Sequence, residues 1–163
     1  MTRALKGLNR RVEDTAAGEC YLTPRWAVEW LLARWQPAGE VVCDPCACGF
    51  GGWSIGAMVA AGTRRLELSD VDPQGAGIQR VAFEDLHLPP ASRTIITNPP
   101  YNLLPGFVRW GLRHADEVVV LTRFGFLCAE NGMRAANLAA YLQPAKRLAF
   151  ELLPDEGRRR IEW

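Results

Sequence analysis

The chain has 163 residues, of which 48% are hydrophobic and 23% are charged. This balance is typical of a globular domain with a hydrophobic core, and the length favours one domain over two. A net charge of +1 excludes the strong field that would by itself indicate a nucleic-acid or membrane partner.

The first segment is polar and weakly periodic, so we expect a flexible arm over 1–19 and a single domain over 20–163. No segment resembles a signal peptide, and no run of about 18 apolar residues suits a membrane span. The five cysteines are odd in number and three of them crowd together, which argues against a disulfide framework. The sequence therefore predicts a protein of the cytoplasm, not a secreted one.

The segment YLTPRWAVEWLLARWQP, which begins at Tyr21, predicts the first helix, with Pro37 and Gly39 at its end. Thr23 is a suitable N-cap, and Pro24 suits the first helical position. One apolar stripe at helical spacing follows, formed by Val28, Leu31, Leu32 and Trp35.

Strands and helices alternate after this helix. Strands are predicted over 40–44, 64–70, 93–97 and 117–121. Helices are predicted over 52–62, 73–81, 104–114 and about 131–142. Alternation at this spacing is typical of right-handed crossovers and a parallel sheet. The closing segments RLAFELLP and RRIEW lie too close together for a crossover, so they predict an antiparallel hairpin.

Ligands of open α/β sheets bind beyond the carboxyl ends of the strands, so the residues that follow each strand are the candidate site. The first strand ends at Asp44 and runs into DPCACGFGGW, with glycines at Gly49, Gly51 and Gly52. Such a turn allows a nucleotide-like cofactor to approach the backbone, although the same glycines also suit a plain tight turn. No Gly-Lys-Ser/Thr follows, which disfavours a phosphate-binding P-loop.

Acidic residues follow the second strand. Asp70 is placed to accept hydrogen bonds from two ribose hydroxyls, with Asp72 as the competing choice and a turn aspartate as the alternative. Asp85, further along, is a candidate acceptor for a purine amine or an ordinary loop acid.

The third strand ends in the tetrapeptide NPPY, Asn98 to Tyr101. The lone pair of a conjugated amine is delocalised into its ring, so two acceptors that bind both N–H groups favour tetrahedral geometry and free that lone pair. The Asn98 side-chain carbonyl and the Pro99 backbone carbonyl suit this role, and Pro100 restricts the backbone. Tyr101 offers a stacking surface, worth ~1–3 kcal/mol per base. A plain Asn-Pro turn is the alternative.

Three cysteines crowd together at Cys43, Cys46 and Cys48, which makes them a candidate metal cluster. The candidates for a fourth ligand are Cys20, Cys128, His87 and His114. None of these stands at a zinc-ribbon spacing, so we expect buried apolar thiols and no metal site.

Taken in this order, the motifs resemble those of the S-adenosylmethionine-dependent amino-methyltransferases, above all the small phage-type N6-adenine DNA methyltransferases. The likeness covers about residues 20–150. It is carried by the Tyr-x-Thr-Pro start of YLTPRWAVEWLL, by DPCACGFG, DVDP and NPPY, and by LTRFGFL with the later Arg134. The resemblance implies a Rossmann-like methyltransferase fold, with a mostly parallel seven-stranded sheet, an antiparallel last strand and helices on both faces.

The resemblance also implies the cofactor S-adenosylmethionine and a set of site residues. The cofactor-binding residues would be Tyr21, Thr23, Pro24, Asp44, Pro45, Cys48, Gly49, Gly51, Asp70, Asp85 and Asn98. The catalytic residues would be Asn98, Pro99, Pro100 and Tyr101.

Two features depart from the family pattern. Gly49 lies five residues after Asp44 where the family places its glycine four residues on, so a bulge or a shifted register through Gly51 and Gly52 is needed. The chain also has little room for a target-recognition region, so we expect weak DNA binding alone and a possible protein partner that supplies recognition. The alternatives are a protein glutamine amide or an RNA base amine as acceptor, or a non-catalytic binding module.

Overall fold

The computed structural model of the protein describes residues 21–48, 54–61, 64–73, 75–123, 125, 139–140, 142–145, 149–152 and 160–162. The strands are β1 Tyr21–Leu22, β2 Val41–Asp44, β3 Arg65–Asp70, β4 Gln79–Arg80, β5 Arg93–Thr97, β6 Glu117–Val120, β7 Ala149–Leu152 and β8 Arg160–Glu162. The helices are α1 Arg25–Leu32, α2 Ile55–Ala60 and α3 Leu104–His114, and a 3-10 turn spans Phe83–Asp85.

The main sheet has five parallel strands in the order β4-β3-β2-β5-β6. Every residue of the central strands β2 and β5 is buried. Such continuous burial is typical of parallel strands covered on both faces. The predicted alternation of strands and helices around a parallel sheet is thereby confirmed.

Helices cover both faces of this sheet, as predicted. On one face, Val28 of α1 and Val59 of α2 pack with Val42 and Ile96 of the central strands. The opposite face buries a second cluster, in which α3 and the 3-10 turn contribute the aromatic side chains Phe83, Phe107 and Trp110. The alternating side chains of β2 and β5 supply both clusters, so the two layers share one pair of central strands.

A polar network ties the end of the first helical segment to the sheet. Trp35 Nε1 donates to Glu117 Oε1 at 2.7 Å, and the Thr94 hydroxyl donates to Glu117 Oε2 at 3.1 Å. The Gly39 N–H donates in turn to Thr94 Oγ1 at 3.0 Å. The predicted stripe of α1 does face the core, where Leu31, Leu32 and Trp35 pack around Val28.

The expected seven-stranded sheet with an antiparallel last strand is not what the described residues form. The closing hairpin is antiparallel, as predicted, but β7 pairs with β8 on one side and with β1 on the other. Both edges of β7 are therefore occupied, and β1, β7 and β8 make a separate three-stranded sheet. The main sheet has five strands among the described residues.

Two other expectations on local structure are wrong. Residues 73–81 were expected to be helical, but their described part runs through Gly77 at φ +82° and then forms β4. A positive φ interrupts a right-handed helix, and glycine adopts it at little cost. Thr23 does not cap α1: the N-cap is Pro24, at φ −59° and ψ 132°, and no side chain caps the helix.

The remaining predicted elements agree closely with the structure or lie outside it. The strand over 93–97 and the helix over 104–114 have the predicted bounds. The helix predicted over 52–62 is shorter, beginning at Ile55 after Ser54, whose hydroxyl accepts the Ala57 N–H. The arm 1–19 and most of the helix predicted over 131–142 lie outside the described residues. None of the described helices is long and apolar enough to cross a bilayer.

Two helical glycines make a matched test of this packing. A Cβ added at Gly56 in α2 would lie 2.5 Å from Asp44 Cβ, whereas one at Gly106 in α3 would meet only Phe83 at 3.7 Å. We expect Gly56→Ala to lower the free energy of unfolding by about 1–3 kcal/mol, because β2 and α2 must separate. Gly106→Ala should leave it equal or raise it by up to about 1 kcal/mol. Urea unfolding measures both, and equal effects would contradict the close approach of α2 to β2.

Candidate functional site

Three neighbouring strands of the main sheet end in polar residues at the same edge. Asp44 and Asp70 are the last residues of β2 and β3, and Asn98 follows the last residue of β5. β2 lies between β3 and β5 and is parallel to both. The carboxyl ends of parallel strands meet at one edge, so the two acids and the start of NPPY lie side by side.

The Asp44 carboxylate is fully engaged in holding the loop after β2. Oδ1 accepts the Cys46 N–H at 3.2 Å, and Oδ2 accepts the Gly56 N–H at the start of α2 at 3.0 Å. Asp44 is only 1% exposed. The residue therefore shapes the loop from beneath; the structure gives it no open surface along a cofactor.

Asp70 holds the same loop from the neighbouring strand. Its Oδ2 accepts the Cys48 N–H at 3.0 Å and its Oδ1 accepts the Asp72 N–H at 2.9 Å. The Ala47 N–H also donates to the Ser69 carbonyl at 3.0 Å, so the loop lies against the end of β3. Asp70 is 8% exposed, more than the 1% of Asp44 but still buried. Each of its carboxylate oxygens has a second lone pair, so a ligand hydroxyl that reaches this edge could donate to it.

The structure distinguishes Asp70 from its competitor Asp72. Asp72 pairs through Oδ1 with the Arg80 guanidinium at 2.8 Å, and both side chains are more than half exposed. Between the two acids, Val71 is 63% exposed, the largest exposure among the large apolar side chains described. An apolar side chain flanked by carboxylates at the edge of the sheet offers a surface for a flat ligand group.

The tetrapeptide NPPY turns directly from β5 into α3. Asn98 is half-buried, Pro99 is buried and Pro100 is exposed. The Leu103 N–H donates to the Pro100 carbonyl at 3.0 Å, which closes the turn before α3. Among the described residues, no hydrogen bond engages the Asn98 side chain or the Pro99 carbonyl. Asn98 is thus not sealed inside the protein.

Tyr101 is half-buried, and the exposed Arg123, which follows β6, covers its ring. Arg123 Cζ lies 4.6 Å from the ring centroid. Burial raises the pKa of the Tyr101 phenol, and the nearby Arg123 charge partly offsets that rise. The phenol is therefore neutral at physiological pH.

Burial raises the pKa of Asp44 to about 6, and the negative charge of Asp70 adds to the rise. The hydrogen bonds from Gly56 and Cys46 act in the opposite direction. Two neighbouring carboxylates favour a cationic ligand, which would stabilise the ionised form of Asp44.

Two buried hydroxyls at this edge lack hydrogen-bond partners within the described ranges: Ser69 Oγ and Thr97 Oγ1. Each precedes a site residue, Asp70 or Asn98. Thr97 lies near enough to Asp44 to lower its pKa, although the two groups do not reach hydrogen-bond geometry. Unsatisfied buried hydroxyls are uncommon in native proteins and concentrate at functional or water-filled sites.

The cysteines of this region are not alike. Cys43 is buried, and burial raises its pKa to about 12, while the pKa of Cys46 is also raised well above 9 by burial. Both are free thiols, as expected for small apolar residues. Cys48 is disulfide-bonded, which corrects the expectation that the cysteines stay unpaired. The described residues contain no group of three or more potential metal ligands.

The other predicted site residues are spread more widely. Pro45 is buried beneath the loop, and Asp85 is exposed at the end of the 3-10 turn. Thr23 is buried just before α1, and Pro24 is its half-buried N-cap. Tyr21 belongs to β1 in the separate three-stranded sheet, not to the main sheet. Gly49, Gly51 and Gly52 lie outside the described residues.

Sequence reasoning missed two contributors to this edge. Val71 could have been found from sequence. It stands between two aspartates directly after a strand, and because such charged residues are mostly exposed, an apolar residue between them is expected to be exposed too. Gly56 could not have been found from sequence, because its close approach to Asp44 depends on how α2 packs against β2.

No protein-family model, curated protein or solved structure matches this chain. The resemblance to the amino-methyltransferases therefore stays a prediction from the sequence motifs.

The raised pKa of Asp44 predicts how stability depends on pH. Because the folded pKa of about 6 exceeds the ordinary value of 3.8, the stabilising effect of protonation is complete below about pH 4. It is lost as pH rises through 6, which amounts to about 3 kcal/mol of the free energy of unfolding.

Asp44→Asn removes this titration. The substitution also places an amide NH2 opposite a backbone N–H, which shifts the stability by a constant amount, so the difference in slope is the measurement. Urea unfolding between about pH 4 and pH 7 should show the wild type losing stability relative to the variant. Parallel curves would contradict the raised pKa.

Proposed function

We propose that this protein transfers a methyl group from S-adenosylmethionine to the exocyclic N6 amine of adenine in DNA. The observation that carries the proposal is that NPPY, after β5, lies next to the acidic ends of β2 and β3. Asn98, whose amide is unengaged among the described residues, follows the strand next to β2. The acidic ends of β2 and β3 lie beside it, where a methyl donor would have to bind.

The charge of this edge suits S-adenosylmethionine. The sulfonium and the amino group of this cofactor are positive, and Asp44 and Asp70 together favour a cation. Asp70 retains lone pairs for the ribose hydroxyls, and exposed Val71 offers an apolar surface for the adenine ring. The buried Asp44 acts by holding the loop that the cofactor would face.

The proposed step moves one methyl group and one proton. The N6 lone pair attacks the methyl carbon as the carbon–sulfur bond breaks, and the sulfonium becomes a neutral thioether. The methylated nitrogen is briefly cationic and then loses a proton to water. Asn98 and Pro99 accept the two N–H bonds and favour the tetrahedral nitrogen that attacks; Tyr101 stacks the ring of a flipped base.

The fold that we propose for the whole chain is the Rossmann-like methyltransferase fold. The parallel sheet, its strand-end site and the helices on both faces support it. Because +1 is a small net charge, we infer weak DNA binding by the protein alone and recognition supplied in part by a protein partner.

Asn98→Ala tests the assigned role, with Asn102→Ala as the matched control because Asn102 is exposed in the following turn. We expect Asn98→Ala to lower kcat by about 100-fold or more, as for loss of one preorganised hydrogen-bond group. Calorimetry should show S-adenosylmethionine affinity within about threefold of the wild type, and Asn102→Ala should retain activity. Normal methylation by Asn98→Ala would end this assignment.

The class of acceptor is tested with a labelled methyl donor and separate pools of DNA, RNA and protein. Label in N6-methyladenine of DNA supports the proposal. Label found only in protein would point to a glutamine amide, and label only in RNA to an RNA base amine. If S-adenosylmethionine fails to bind at all, the chain is better explained as a non-catalytic module.

A further inference from the structure

A cation covers the ring on which the acceptor base would stack. The Arg123 guanidinium lies 4.6 Å from the Tyr101 ring centroid. Arg123 is exposed and Tyr101 is half-buried, so the guanidinium is the more accessible of the two groups. A base that stacks on the covered face of the ring has to displace this guanidinium.

The Tyr101 backbone does not need Arg123 to hold it. Two prolines precede Tyr101, and the Leu103 N–H bond to the Pro100 carbonyl closes the turn at 3.0 Å. α3 begins immediately afterwards at Leu104, which is 1% exposed and anchored in the core. The backbone of Tyr101 is therefore positioned by the turn and by α3, independently of Arg123.

We propose that Arg123 is a substrate-binding residue that exchanges the Tyr101 ring for a phosphate of the substrate. In the free protein its guanidinium occupies the Tyr101 face, and when a base takes that face the guanidinium binds a phosphate of the same strand. This inference rests on the proposed function and deepens it, because it requires an acceptor with a phosphate backbone. A glutamine amide in a protein offers no such partner.

The magnitudes favour the exchange. The cation–π contact that is given up is worth about a two- to fivefold factor in affinity at an exposed site. Arg123 is also a hydrogen-bond partner of the Tyr101 phenol, which adds to the cost of leaving the ring. Stacking of a base on an aromatic ring is worth about fivefold to 150-fold. The displaced guanidinium then matches phosphate oxygens in a bidentate geometry, which Lys cannot reproduce.

Two ligands distinguish an Arg123 guanidinium that the base displaces from one that only holds the Tyr101 ring in place. Adenosine carries the base without a phosphate, and a short single-stranded oligonucleotide with one adenine carries both. Arg123→Ala should bind adenosine equally or up to about fivefold tighter, because no cation has to leave the ring. For the oligonucleotide, KM should rise about five- to tenfold with kcat within about twofold, and the salt dependence of binding should lose about 0.7 in slope.

The matched control is Arg113→Ala, which removes the same charge from the exposed last turn of α3. It should leave adenosine binding and the oligonucleotide KM unchanged. Arg123→Lys should recover part of the lost salt dependence, because Lys keeps the charge. Its KM should stay above that of the wild type, because an ammonium cannot bind a phosphate in a bidentate geometry. Thermal unfolding of each variant checks that the fold is intact.

Weaker binding of both ligands by Arg123→Ala would make Arg123 a clamp for the ring and overturn the exchange. Unchanged binding of both would overturn any substrate role. If the wild type methylates no adenine acceptor, the proposed function and this inference are both overturned. If the wild type is active but Arg123→Ala binds both ligands more weakly, only this inference is overturned.

Discussion

Two carboxylates at the edge of the main sheet fix the loop on which the whole site depends. Asp44 and Asp70 accept four backbone N–H groups, from Cys46, Gly56, Cys48 and Asp72. These bonds hold residues 46–48 near the end of β3 and tie the end of β2 to the start of α2. Buried carboxylates are costly, and the raised pKa of Asp44 records that cost. A structure that retains two such groups side by side is suited to a cationic ligand above them.

The parallel register brings this acidic half of the site beside NPPY. β2 separates β3 from β5, so the loop held by the carboxylates and the turn into α3 leave the sheet from adjacent strands. The hydrophobic clusters on the two faces keep these strand ends from shifting. A methyl donor on one side and a flat amine on the other would then meet across one strand spacing of about 4.8 Å. Tyr101 and Arg123 follow the carboxyl ends of β5 and β6, where the proposed acceptor would enter.

Strongly patterned elements were predictable from sequence, and features set by tertiary contacts were not. The apolar run 93–97 and the amphipathic helix 104–114 carry their own periodicity, and both have the predicted bounds. The different surroundings of Asp70 and Asp72 could not be predicted from sequence, because the Asp72–Arg80 pair and the Cys48 N–H bond to Asp70 depend on tertiary contacts. In two places the local sequence preference did not decide the structure. The N-cap of α1 is Pro24 and not Thr23, and the segment predicted as a helix over 73–81 forms β4. The five-stranded sheet differs from the expected seven because β7 is paired on both edges by β1 and β8.

The most direct test of this site is a crystal structure of the protein with S-adenosylhomocysteine, the product of the proposed donor. We expect the ribose hydroxyls to bind the Asp70 carboxylate, with the sulfur facing the Asn98 amide across the ends of β2 and β5. A ligand bound away from these strand ends, or an Asn98 side chain that points away from the sulfur, would contradict the proposed function.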